Sequence, residues 1–191
     1  MNSNAKILGK ENVEYRLFDK DGNTKKIFQE NKLFTWLMKK GILSPHASKI
    51  PFILGHWSDK KVIANLVTDA GFAAVAGQIN GVGSVAAFTY IELGTGTTAA
   101  DHADTAVETP ISDSGLQRAA ATCTLVTTTI ANDTAQLLKS FSVTGAKAIT
   151  ESGVLNDATT GTLLARQVFA AVNVVNTDTF QMTWKFKVAT A

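Results

Sequence analysis

Toward the end of the chain, apolar and polar residues alternate with a period of two. In TFQMTWKFKV, Phe180, Met182, Trp184, Phe186 and Val188 take every second position, and Gln181, Thr183, Lys185 and Lys187 take the others. That is the pattern of a strand with one buried face. AQLLKSFSV does the same, with Leu137, Lys139, Phe141 and Val143 on one side and Leu138, Ser140 and Ser142 on the other. VAAFTYIEL, RAAATCTLVTTTI, ITESGVLN and TLLARQVFAAVNV add strand candidates bounded by glycines and Asn/Asp turns. Near the start, Val13, Tyr15 and Leu17 alternate before an acidic, glycine-containing turn over 19–23. The return through 25–28 makes a hairpin.

Two stretches change period. NKLFTWLMKKG brings Leu33, Phe34, Leu37 and Met38 onto one helical side ahead of Gly41, with Asn31 placed to cap it. NLVTDAGFAAVAGQING predicts a second helix beginning at Thr68 or Asp69, with Leu66, Phe72, Val75, Ala76 and Ile79 toward the body. The small side chains of Ala73, Ala74 and Ala76 would allow close packing there. Between the two, 42–61 reads as an irregular connection with a short apolar β piece.

Many strands with short connections predict a mainly β fold, an antiparallel β-sandwich or flattened barrel, rather than βαβ units. The N-terminal hairpin and one or two short helices would cover an edge or dock on one end. Residues 1–61 form a possible anchoring region and 62–191 a β-rich assembly domain, so 62–191 is expected to fold without the first 61 residues.

Composition narrows this picture. A chain of 191 residues, 45% hydrophobic and 18% charged, supports one real core. The net charge of +2 is unevenly divided: residues 1–61 hold 12 Lys/Arg against 6 Asp/Glu, and 62–191 hold 6 against 10. Without arginine clusters or interleaved aromatics, the basic first third does not predict direct nucleic-acid binding. The single cysteine, Cys123, excludes intramolecular disulfides and reads as a buried thiol in a strand. The opening MNSNAKILGKENVEYR lacks the apolar segment of an export signal. AGFAAVAGQINGVGSVAAF is too broken by glycine and polar residues to predict a membrane span.

The chemistry-bearing stretch is YIELGTGTTAADHADTAVETP, residues 90–110. Its G-x-G-x-x-A follows a strand, as in a phosphate cradle, but no convincing helix follows and no P-loop lysine is supplied. Asp101, His102, Asp104 and Glu108 are ligand types for a divalent ion, although isolated acidic residues in an Ala/Thr loop are usually solvated or cap local turns, which is the preferred reading. Gly94, Gly96, Asp101 and Asp104 are therefore taken as structural loop residues, the glycines for the backbone angles of a tight turn. DKDGNTKKIFQE matches EF-hand positions through Asp19, Asp21, Asn23 and Glu30, but its glycine is misplaced, and a β-turn at Asp21–Gly22 accounts for it. Ser44, Ser48 and Ser58 near His46 and His56 lack a nucleophile elbow and a defined acidic orienter. No catalytic residue, metal site or cofactor is predicted. Trp57, in an expected loop, is the candidate for a ligand surface.

Five ordered segments, NLVTDAG, FTYIELGTGTTAADHADTAVETPI, ITESGVLN, LLARQVF and DTFQMTWKF, together resemble a family of tailed-bacteriophage virion structural proteins over about residues 62–188. The resemblance implies a non-enzymatic head, neck, tail or fibre component, assembled in the bacterial host cytoplasm. Its partners would be other virion structural proteins and further copies of itself. Decoration of the capsid, or a head-fibre role, is the expectation; a tail, neck or receptor-binding adsorption protein with a carbohydrate or protein ligand is the alternative. In that setting Arg118 or Arg166 is expected to pair with Glu108 or Glu151.

Overall fold

A computed structural model of the chain describes residues 12–42 and 55–188. In chain order these form β1 (Asn12–Phe18), β2 (Thr24–Lys25), β3 (Ile27–Glu30), α1 (Lys32–Lys39), β4 (Gly55–Ser58), β5 (Lys61–Ala64), β6 (Leu66–Val67) and α2 (Asp69–Asn80). There follow β7 (Tyr90–Gly94), β8 (Ala119–Ala120), β9 (Thr122–Val126), β10 (Thr134–Ser142), β11 (Lys147–Leu155), β12 (Leu163–Val174) and β13 (Thr179–Lys187).

Among the described residues, two antiparallel sheets pack face to face as a sandwich, with no closed barrel. The first runs β2-β1-β13-β10-β9, with β5 also on the outer side of β1; the second runs β6-β12-β11-β7-β8. The chain steps from one sheet to the other at both edges: at Asn65 between β5 and β6, and at Ala121 between β8 and β9. A separate ribbon pairs β3 with β4.

The alternation in β13 is realised largely as expected: Phe180, Met182, Trp184 and Phe186 are buried, Thr183 on the polar side is buried as well, and Val188, just past the strand, is exposed. Opposite them, β7, β11 and β12 contribute Ile91, Leu93, Ile149, Val154, Ala165 and Phe169 to the same core. Trp184 Nε1 donates across the sandwich to Ser152 Oγ at 3.2 Å, and the Tyr15 and Phe169 rings meet at 4.8 Å. Burial pushes the Tyr15 hydroxyl up to about 12, because the phenolate would lose its hydration there.

The hairpin forms with the expected turn. Asp19 Oδ1 accepts the amides of Asp21 and Asn23, and Gly22 takes positive φ. These bonds account for the EF-hand near-match. The hairpin does not stand apart, however. β1 pairs with β13 over six positions, and Val13, Tyr15 and Leu17 lie in the common core. β1 and β2 are thus built into the first sheet, and a cut at 61/62 falls inside β5.

Three burial expectations are corrected. In α1, Asn31 Oδ1 accepts the Phe34 amide and Phe34 is buried, but Leu33 faces solvent. In α2, Thr68 caps the helix by accepting the Gly71 amide, yet Phe72 and Ile79 are exposed while Gly71 and Ala74 are buried. The cause is the close approach of β12: a Cβ at Gly71 would strike the Leu164 carbonyl, so only the small-residue face fits. Cys123 is exposed, because β9 is an edge strand. His46, Ser44 and Ser48 lie outside the described residues.

Candidate functional site

β11 sends alternate side chains to opposite faces. Ser152 and Val154 point into the sandwich, while Glu151, Gly153 and Leu155 point to its outer side. The chain leaving β7 at Gly94 folds back across that outer face before reaching Ile111. Val107 packs there on Leu155 and Leu163. A carboxylate on a buried strand face, covered by a loop, must find partners or it would not remain charged.

Glu151 is fully buried and finds four partners. Its Oε1 accepts the amides of Gly96 (2.8 Å) and Thr109 (2.8 Å), and its Oε2 accepts the Glu108 amide (3.0 Å) and Arg166 Nε (2.8 Å). Thr150 Oγ1 adds a bond to the Gly96 carbonyl at 2.7 Å. The loop is therefore an anion cradle, but its anion belongs to the chain itself. The amide a phosphate would need at Gly96 is already bound to Glu151.

Arg166, 2% exposed and projecting from β12, is the second centre. Besides Glu151 it donates to Asp104 Oδ2 (2.8 Å), Glu108 Oε2 (3.2 Å) and the Thr98 carbonyl (3.1 Å). Burial opposes its charge, but Asp104 and Glu151 outweigh that and raise its pKa above the ordinary value. Burial also opposes the ionised form of Asp104. The Asp101 amide and the Arg166 guanidinium prevail and hold its carboxyl below the usual range. Thr98, through hydroxyl and amide, does the same for Glu108, assisted by Arg166.

The expected pairing of Arg166 with Glu108 and Glu151 is therefore present, and Arg118 has a different partner. It forms a two-pronged bridge to Glu92, at 3.0 and 2.9 Å. Glu92, on β7, was not anticipated. The available signal was a charge within an apolar strand, the same signal that marks Glu151 and Arg166.

The other predicted loop residues have definite places. Asp101 Oδ1 accepts the Ala103 amide, and His102 Nδ1 lies 2.8 Å from the Val67 carbonyl oxygen. Among the described residues, no group of His, Cys, Asp and Glu is arranged to hold a metal ion. Gly94 and Gly96 do not take positive φ. Their requirement is space: a Cβ at either position would collide with the Glu151 carboxylate. The reason given for them by turn geometry is thereby replaced by close approach.

Trp57 lies elsewhere, on β4, 65% exposed and edge-on to Phe28 at 5.4 Å. The pair borders a groove of about 360 Å³ with Tyr15, Lys26, Glu30 and Lys61. Lys26 is held by Asp59 at 2.7 Å. The structure does not bring this groove together with the 95–111 loop: the two share no lining residue. No described helix is long and apolar enough to cross a membrane. In comparison with known proteins, the chain matches no family model, no curated protein and no solved structure.

Proposed function

We propose that this protein is a non-enzymatic structural component of a bacteriophage virion, mounted on the capsid through repeated protein–protein contacts. The observation that carries the reading is the commitment of the loop's charged groups. Glu151, Arg166, Asp104 and Glu108 bind one another and the loop backbone, so they hold a shape rather than present reactive groups to a substrate. A loop held by buried, directional contacts suits a part that must offer the same surface in every copy of an assembly. The ordered resemblance over about 62–188 supplies the virion setting.

Cryo-electron microscopy of particles containing the chain tests the proposal. Density for the sandwich on the capsid lattice or at its vertices is expected. Chain absent from purified particles would overturn the virion reading. The groove beside Trp57 favours a second reading, a tail or adsorption protein with a surface ligand, and density along the tail or at its tip would select it.

A further inference from the structure

The first sheet has two unlike edges. β2 and β5, at one edge, carry Lys25 and Lys61, the charged residues with which edge strands discourage pairing. β9, at the other, carries none, and between Arg118 and Asp133 the sequence has no charge and no proline. Among the described residues, the backbone of β9 bonds only to β10, so its outer row of amides and carbonyls has no protein partner.

Side-chain rows sharpen the contrast. Val13, Trp184 and Leu137 lie side by side across the sheet, all buried and all facing the core, and the next residue in that row is Cys123. The neighbouring row runs from Phe186 through Ala135 to Leu125. Cys123 and Leu125 therefore point to the inner side of the sheet, yet Cys123 is exposed and Leu125 is 64% exposed. The opposing sheet ends at the two-residue β8 and leaves them uncovered.

We propose that β9 pairs antiparallel with β9 of a second copy, about a twofold axis at Thr124, so that the first sheet continues through both molecules. The strand is self-complementary in this register. Thr124 meets Thr124, Cys123 meets Leu125 on the inner side, and Thr122 meets Val126 on the outer side, so all five residues pair and no like charges oppose one another. A partner bearing the opposite charge has nothing to recognise in this uncharged strand, whereas an identical strand matches its alternation. The inference concerns the isolated protein and does not depend on the virion reading.

Sedimentation velocity of the full chain under reducing conditions tests it, with Thr124→Lys and Thr124→Asp as variants. Thr124 is exposed and faces outward, so circular dichroism of both variants should match the parent. The parent is expected to dimerise, and each variant to self-associate at least about tenfold more weakly because the axis sets like charges against each other. An equimolar mixture of the two should recover the dimer. A monomeric parent, a dimer unchanged by either substitution, or a mixture that stays monomeric would overturn the proposal. A third variant, Leu125→Cys, retains Cys123 and is expected to give a covalent dimer on mild oxidation. Failure to cross-link in a chain that sediments as a dimer would exclude this register.

Discussion

Two buried layers flank the second sheet, and they are built on opposite principles. Between the sheets, Phe141, Met182, Phe180 and Ile91 exclude water without directional demands, and the Trp184 indole adds only a single bond to Ser152. On the outer side, equally buried Glu151 and Arg166 are held by bonds that each need a named partner at a given angle. The apolar layer accepts many side chains of similar volume. The ionic layer accepts few, because removing one partner leaves a desolvated charge. The first layer holds the sandwich together, and the second selects one conformation for a loop that has little apolar surface of its own.

The largest test removes residues 1–61. Because β1 lies beside β13 and fills the core with Val13, Tyr15 and Leu17, a chain beginning at Val62 is expected to lose cooperative thermal unfolding. A sharp melt would show that the apolar layer survives without that strand. Next comes the outer layer. Arg166→Met should cost about 3–5 kcal/mol in urea unfolding. Adding Glu151→Leu should not restore stability, as it can for a simple buried ion pair, because the amides of Gly96, Glu108 and Thr109 lose their acceptor. Recovery in the double variant would mean that the carboxylate matters only to Arg166.

Trp184→Ala should cost a similar amount, about 3–5 kcal/mol, but should spread its effect evenly. Limited proteolysis separates the two layers: cleavage within 95–111 should rise selectively in the Arg166 variant and not in the Trp184 variant. Acid gives a smaller effect. Asp104 and Glu108 have folded-state pKa values below their ordinary ones, so their stabilisation is complete above about pH 5 and is lost as pH falls through the lowered values. The melting temperature should be level from neutrality to about pH 5 and decline below about pH 4, less steeply in Arg166→Met. The smallest expected effect is that of added calcium or magnesium. Neither should shift the melting of the parent or of the Asp101→Ala/Asp104→Ala variant, and a shift confined to the parent would make the loop an ion site.

How far the sequence could be read follows the same division. Period-two alternation located β10 and β13 and most of their buried faces, because the burial of a strand's two sides is encoded locally. Of the expected pairings of Arg118 or Arg166 with Glu108 or Glu151, those of Arg166 are present. The amide partners of Glu151 were not foreseen, since those bonds join residues more than forty positions apart. The buried side of α2 was misjudged because it is decided by the distance to Leu164 rather than by hydrophobicity. Cys123 was misplaced because its own segment does not show that the sheet ends there.

The pairing of β1 with β13 also has a mechanical meaning. Val13 lies opposite Trp184 and Phe18 opposite Thr179, so the chain enters β1 and leaves β13 at the same pole of the molecule. Tethers fixed just before β1 and just after β13 would pull on neighbouring points. Such a load would open the ladder one rung at a time, like a zipper, instead of shearing all its bonds together. The opposite pole, where Lys25 is bound to Asp178 at 2.7 Å, would feel the strain last.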